Sequence, residues 1–420
     1  MMRNFEIHSS EIDKIKKISE KEKKFRIKNL EFFNTNGFPS KKLEDWKFSD
    51  FRDIVYKNFD KLDTNNVLSD IKKINLLKDF DHNYILLVNG NLQSSNFAYE
   101  DKSKIRINSC KKDNINYETS QNPLVCLNNA LAKEGYSLEV EKNYRLKKVV
   151  IIYNVFTKDL KNKILNKKNK ITVKENSEIH IIDYTINGSK FKFINNIYEN
   201  VILEKNSKFK NISIQDNKSN GYFHKFSKNK LLSNSNYTSF IFSSGLKFNK
   251  LDIECDLEGK NSECNVQSAL FLNTDEHQEI KTRINHLAEN CKSYQKIKSV
   301  VSPDSKGVYQ GKIYVKNIAQ KTNAYQLSKA LLLSSNSEFD SKPELEIYAD
   351  NVKCSHGSTS GSIDEDSLYY LMTRGLNRKE STKLLIKGFL DDVVQIIKSA
   401  SIKKFIQDKL AKQIYGHWVN

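Results

Sequence analysis

Asn176-Ser177-Glu178-Ile179 recurs as Asn206-Ser207-Lys208-Phe209, as Asn234-Ser235-Asn236-Tyr237 and as Asn261-Ser262-Glu263-Cys264. Looser copies occur at Asn290-Cys291-Lys292-Ser293-Tyr294 and Thr322-Asn323-Ala324-Tyr325. From Asn176 through Asn206, Asn234 and Asn261 to Asn290, the leading asparagines are 30, 28, 27 and 29 residues apart. A last copy, Asn336-Ser337-Glu338-Phe339, comes 46 residues after Asn290. Short strand-like segments at such a period, with no helical pattern between them, predict a solenoid: one turn cannot bury its inner face alone, so stacked turns make the core. Asparagine suits a tight corner because it tolerates positive φ. The apolar residue two or three places later then points inward, and alternation along the strand places every second side chain inside. An antiparallel sandwich with repeated turn chemistry would share the corners. Regular spacing over five copies favours the parallel β-helix.

The strand texture begins near residue 148, with Lys148–Val155, Ile179–Tyr184, Val201–Leu203, Lys312–Val315 and Leu345–Tyr348. The chain holds 14 Gly and 4 Pro, so Asn, Ser, Asp and Lys must carry the turns. Helical patterns lie at both ends. Residues 9–35 predict a helix capped by Ser9 or Ser10, with Ile12, Ile15, Ile18, Phe25, Leu30 and Phe33 as its apolar positions and Asn36-Gly37 as its stop. Tyr84 to Val88 predicts a strand and residues 124–132 a short helix. Beyond 363, Asp364 or Asp366 caps a helix carrying Leu368, Tyr369, Leu371 and Met372, which Gly375 ends. Asn377-Arg378-Lys379-Glu380 reads as a capping box before a stripe of Leu384, Leu385, Phe389, Val393, Val394 and Ile397. The expected organisation is therefore residues 1–147, helical and mixed; 148–362, β-helix; and 363–420, helical.

Composition narrows the function. The 420 residues include 38% hydrophobic types, enough for a large core. No stretch approaches the roughly 18–20 apolar residues of a membrane span. Met1-Met2-Arg3-Asn4-Phe5-Glu6 opens no apolar run, so a cytoplasmic protein without a membrane role is expected. Six cysteines, at 110, 126, 255, 264, 291 and 354, contain no pair at metal-knuckle or redox spacing and read as free thiols. The formal charge of +18 is spread along a chain rich in Lys, Asn and Ile, a composition that A/T-rich codons produce. With no recognisable nucleic-acid module, no nucleic-acid partner is expected, although a basic solenoid binding nucleic acid is a rival reading. A carbohydrate-active β-helix enzyme is another. It would need clustered carboxylates, and Asp256, Asp275 and Asp304 are scattered. His277 and His286 lie nine apart, outside standard ligand spacings, and read as structural; His180 and His224 carry no pattern. No phosphate-binding glycine loop occurs, so any ATP dependence must come from another chain.

The run from Lys342-Pro343-Glu344-Leu345-Glu346-Ile347-Tyr348 through Ala349-Asp350-Asn351-Val352-Lys353-Cys354-Ser355-His356-Gly357 resembles the C-terminal signature of the SufB/SufD family. So do Gly361-Ser362-Ile363-Asp364-Glu365, Leu368-Tyr369-Tyr370-Leu371 and Arg374-Gly375-Leu376. Gly311-Lys312-Ile313-Tyr314-Val315, Ala319 to Gln326 and the block Glu44-Asp45-Trp46-Lys47-Phe48 resemble other parts of that family. The resemblance is dense from about 307 to 390 and weak from 50 to 170. It implies a mainly β fold, with a right-handed parallel β-helix core flanked by N-terminal and C-terminal α-helical domains. It also implies a non-catalytic scaffold of the SUF iron–sulfur assembly machinery. Leu331 to Pro343 lacks the cysteine of SufB-type chains, and Cys354-Ser355-His356-Gly357 is SufD-like. The implied metal-site candidates are His356 and Cys354, two apart and so on one side of a strand. They would hold a transient iron–sulfur cluster or iron shared with a SufB partner, with no other cofactor. The implied partners are SufB through the β-helix and the SufC ABC-type ATPase through the C-terminal helices, at Leu368, Tyr369, Leu371, Arg374, Gly375 and Phe389. A homodimer is implied when the chain is alone.

Overall fold

The repeated corners are left-handed residues. In the computed structural model, which describes residues 5–16, 18–64, 69, 71, 74–110, 120–187 and 190–417, φ is 58° at Asn176, 59° at Asn206, 57° at Asn234, 60° at Asn261 and 59° at Asn290. Their side chains form a ladder along the molecule. The amide of Asn206 donates to Asn176 Oδ1 at 2.8 Å, that of Asn234 to Asn206 at 3.1 Å and that of Asn261 to Asn234 at 3.0 Å. The serine after each corner is buried. Ser207 and Ser235 donate to the carbonyls of Glu204 and Leu232, at 2.7 and 2.6 Å, and so close the bend from inside. Cys291 takes the serine position in its turn, with Sγ 3.3 Å from Ser262 Oγ.

Two looser copies sit differently from expectation. In the Thr322-Asn323 turn the left-handed residue is Lys321, with φ 59°, and Thr322 fills the serine position by donating to Ala319 O at 2.8 Å. Asn336 belongs to another corner row. Its amide reaches Asp304 Oδ1 at 3.4 Å, and Asp304 and Asp275 carry the positive φ there. The 46-residue gap from Asn290 to Asn336 thus crosses from one corner of the solenoid to the other.

Each turn gives one strand to each of two sheets. The first sheet stacks Asn91–Asn96, Asn83–Val88, Val150–Phe156, Glu178–Asn187, Lys208–Gln215, Asn236–Ser243, Glu263–Leu272, Lys292–Val301, Asn323–Leu332 and Lys353–Gly361. The second stacks Ile105–Ser109, Glu134–Val140, Ile164–Val173, Phe193–Leu203, Ser219–Leu231, Leu246–Leu257, His277–His286, Lys306–Val315 and Glu338–Ile347. Pairing is parallel except at the N-terminal end, where Asn91–Asn96 and Ile105–Ser109 pair antiparallel. Parallel stacking reaches upstream of residue 148, because Asn83–Val88 pairs with Val150–Phe156. The fold is therefore a mainly β parallel solenoid with helices at both ends.

Three apolar layers hold it together. Between the sheets lie residues such as Ile181, Leu203, Phe209, Tyr237, Ile253 and Leu270. On the outer face of the second sheet, helices α1 (Ser10–Asp13), α2 (Glu20–Asn36), α3 (Phe51–Asn58) and α4 (Pro123–Leu131) bring Leu30, Phe33, Phe51 and Leu127 against Ile194, Tyr222 and Phe248. On the outer face of the first sheet, α6 (Arg378–Val394) and α7 (Ala400–Gly416) bury Ile386, Leu390, Phe405 and Leu410 against Ile182, Phe240 and Phe271. The helix expected over 9–35 is two helices. Ser19 caps the second by accepting the N–H of Glu22 at 3.1 Å, a serine-x-x-glutamate signal that outweighs helix continuity. The C-terminal box forms in both directions: Glu380 N to Asn377 Oδ1 at 2.9 Å, and Asn377 N to Glu380 Oε2 at 3.2 Å.

Substitution at one corner tests the role of its handedness. A left-handed L-residue without asparagine's tolerance loses about 1–2 kcal/mol, and Asn234 also holds two ladder bonds. Asn234→Val should destabilise the chain by about 2–4 kcal/mol, and Asn234→Gly by only about 1 kcal/mol. Chemical denaturation monitored by circular dichroism reads both. Equal losses would remove backbone handedness as the reason for the repeat.

Candidate functional site

The solenoid ends on two strands, Glu338–Ile347 and Lys353–Gly361, each last in its sheet. Among the described residues no strand covers their outer edges. The first carries Pro343 and alternating charges, devices that blunt an edge. The second reads Lys-Cys-Ser-His-Gly-Ser-Thr-Ser-Gly, mostly small residues without proline, and lacks those devices. Cys354 and His356 lie on the inward side of this strand. Cys354 pairs with Ala324 and packs on the apolar cluster of Ile313, Val315, Ala324 and Ala349. His356 pairs with the buried Gln326. Ser358, next on that side, lies 2.9 Å from Ser328 Oγ. His356 is exposed because no further turn lies above it. The expected shared side is therefore present, and it opens at the mouth of the solenoid.

An imidazole nitrogen and a thiolate are both good iron ligands. Burial pushes the Cys354 thiol up, while the backbone N–H of Ala324 favours the thiolate more weakly. Among the described residues no group of three or more His, Cys, Asp and Glu side chains gathers around one point. Two donors leave a cluster site, which takes four ligands as a rule, incomplete.

The C-terminal candidates divide. Helix α5 (Glu365–Thr373) is capped by Asp364, which accepts the N–H of Ser367 at 2.8 Å, and Gly375 follows it with φ 97°. Leu368 is buried within the chain and Leu371 is half-buried. Phe389 lies half-buried on the first sheet, with Lys298 Nζ 4.4 Å from its ring centre and bonded to its carbonyl at 2.8 Å. Leu368 and Phe389 thus face their own chain. Tyr369 is 71% exposed, Tyr370 58%, Met372 40% and Leu384 45%. The Arg374 guanidinium lies 5.1 Å from the Tyr370 ring centre. Tyr370, Met372 and Leu384 are exposed apolar side chains beyond the expected set of Leu368, Tyr369, Leu371, Arg374, Gly375 and Phe389. The available signal was five consecutive large residues, Leu368 to Met372, which cannot all face one side of a helix.

The Glu44-Asp45-Trp46 block is a strap over the outer face of the second sheet. Trp46 is buried, with its ring 5.4 Å from His224 and 4.9 Å from Lys250 Nζ. Lys250 pairs with Glu279 and, at 3.4 Å, with Asp252. Despite its burial, Glu279 is held well below the usual carboxylate range, chiefly by Lys250 and then by His277. Asp45 pairs with Lys281, and Glu44 with Lys342 on the last strand of the second sheet. His277 bonds Ser49 at 2.8 Å. His286 is buried against Ser293 at 2.9 Å, and burial lowers it to about 4. Both side chains are hydrogen-bonded within the chain. No helix among the described residues is long and apolar enough to cross a membrane.

Comparison with known proteins places this architecture. Residues 155–389 match the family described as SUF system FeS cluster assembly, SufBD core domain. The iron–sulfur cluster assembly protein SufD of Escherichia coli is 24% identical over 390 residues, covering 90% of each chain. An iron–sulfur cluster assembly SufBD family protein of Synechocystis is 41% identical over 130 residues, 31% of this chain and 28% of that one. SufD of Bacillus subtilis is 27% identical over 159 residues, 38% of this chain and 36% of its own. The chain belongs to the SufBD family of iron–sulfur cluster assembly proteins. Within that family it is of the SufD type.

The raised Cys354 thiol predicts its reactivity. Less thiolate is present at any pH below the shifted value, so iodoacetamide should label Cys354 at pH 8 more slowly than an unperturbed peptide thiol. Labelling should keep accelerating as pH rises past 9.0, the ordinary value for cysteine. Peptide mass mapping measures this; a peptide-like rate at pH 8 would contradict burial of the sulfur.

Proposed function

We propose that this chain is a scaffold subunit that completes a cluster site with a partner solenoid and docks an ATPase on its C-terminal helices. The open solenoid end carries this reading. Two free strand edges offer backbone donors and acceptors for pairing with a second β-helix, and His356 with Cys354 occupies the inward side of the unblunted one. A SufB-type paralogue is the partner of matching architecture, and the iron or iron–sulfur cluster built at the junction is the cargo. The two side chains here supply part of its ligands and the partner the remainder. Without that partner, the same free edges favour self-association into a homodimer. The exposed Tyr369, Tyr370, Met372 and Leu384, with Leu371, Arg374 and Gly375 beside them, form the docking face for a SufC-type ABC ATPase. Six free cysteines suit a reducing, cytoplasmic setting.

The test is co-expression with the SufB and SufC proteins of the same source, then anaerobic purification. A stable complex holding one copy of this chain, one SufB and two ATPases is expected. Purification of the chain alone would defeat the reading. Within the complex, His356→Ala should lower cluster yield, and an unchanged yield would remove His356 as a ligand. Tyr369→Asp should weaken ATPase binding with the β-sheet circular dichroism intact; loss of that signal would instead place Tyr369 in the core.

A further inference from the structure

Inside the first turns of the solenoid the lumen is polar. Asn154, Asp183 and Gln215 from the first sheet face Lys167, Asn195 and Lys225 from the second around a cavity of about 60 Å³. Lys167, Asn195 and Gln215 are only 2%, 1% and 6% exposed. Phe156, Phe223 and Leu246 border the cavity as part of a small apolar cluster. In the turns that follow, Val266, Leu270, Ile280 and Ile284 fill the lumen between the cavity and the candidate ligand at the mouth. This polar site is therefore distinct from the open end.

Its charged groups settle one another only in part. Lys225 Nζ lies 2.9 Å from Glu199 and 3.6 Å from Asp183. The Asp183 carboxylate also accepts from the Asn154 amide at 2.5 Å. Lys167 donates to Asn154 Oδ1 at 2.7 Å. Burial lowers Lys167 to about 8, with Asp183 pulling the other way. At neutral pH it is thus mostly an ammonium, which has three protons to donate. Asn195 Oδ1 and Gln215 Oε1 are buried in the same wall and accept no hydrogen bond among the described residues. Buried polar atoms are rarely left unmet, because each then carries its full desolvation cost.

The wall therefore asks for a ligand that accepts from an ammonium and donates to two amide oxygens. An anion accepts but cannot donate. A metal cation satisfies the oxygens but is repelled by Lys167. Water does both. We infer that the cavity binds a cluster of about four water molecules, the number its volume holds at roughly 10–15 Å³ each, and that they bridge the Lys167 ammonium to Asn195 Oδ1 and Gln215 Oε1. Lys167 and Asn195 belong to one sheet and Gln215 to the other, so the cluster joins the two sheets across the lumen. It serves there as a ligand held by the fold, costly to remove because its partners have no substitute.

The experiment is a crystal structure of the full chain at a resolution that shows ordered water, with further crystals soaked in bromide and in rubidium as probes for an anion and a cation. Water peaks within hydrogen-bond distance of Lys167 Nζ, and of Asn195 Oδ1 or Gln215 Oε1, are expected, with no anomalous signal from either soak in the cavity. A bromide or rubidium signal there overturns the ligand class. A cavity closed by Lys167 turning onto Asp183 or Glu199 overturns the site. In solution, oxygen-17 relaxation dispersion counts the waters that reside inside the protein. Lys167→Met, which keeps the length of the side chain, should lower that count by about two to four. Gln215→Met, which removes one acceptor at similar volume, should lower it by at least one and serves if Lys167→Met fails to fold. A count unchanged by the folded variant overturns the proposal.

Discussion

The left-handed residues at the solenoid's corners are the constraint on which the rest of this molecule depends. A chain that reverses direction within a few residues, while its flanking strands stay in parallel register, needs a bend that right-handed backbone does not supply. Asn176, Asn206, Asn234, Asn261 and Asn290 supply it, and their amides bond from turn to turn. Each corner also sets the phase of the strand after it. The serine one place later is buried, the strand begins at the next residue, and alternation decides which side chains enter the lumen. A slip of one residue at a corner would turn Phe209 or Tyr237 outward and a lysine or asparagine inward. The register that places His356 above Gln326 is inherited from corners several turns away.

The two ends of the stack are treated differently. At the N-terminal end the strands Asn91–Asn96 and Ile105–Ser109 fold back antiparallel over the first turn. At the other end Glu338–Ile347 and Lys353–Gly361 have no such cover among the described residues. Pro343 removes one backbone donor from the first of these strands. The second is left regular, small and unprotected, an aggregation liability in a protein meant to stay alone.

Legibility in the sequence tracked the range of the interaction. The corners could be read because the sign of φ is a property of one residue, and asparagine advertises it. The caps at Asp364 and Asn377 and the stop at Gly37 are similarly local. Lys321 escaped because lysine carries no sign of a left-handed bend. Asn336 misled because both corner rows use the same chemistry. The break before Ser19 was hidden by apolar residues on either side. In the candidate site, the shared side of Cys354 and His356 came from strand alternation. Their place at the last turn did not, because the end of a solenoid has no local signature. Leu368 and Phe389 against Tyr370 and Leu384 was a matter of which neighbours each helix face meets, and that depends on how α5, α6 and the sheet are assembled.

The helical face and the open end are joined by few covalent residues and many hydrogen bonds. Asp392 on α6 pairs with Lys296 at 2.5 Å and with Lys298 at 2.6 Å, both on the strand Lys292–Val301. Lys296 is in register with Leu327 on the next strand, and Leu327 with Gly357 on the last. Gly357 comes directly after His356. A displacement of α6 is therefore borne two strands from the candidate ligand, through parallel ladders of backbone pairing. On the opposite face, Glu44 of the strap holds Lys342 on the other terminal strand. One strand of the open end is thus braced directly from outside the lumen, and the other through the strand two places before it. Ion pairs at half-exposed positions are individually weak, so these braces set position more than stability.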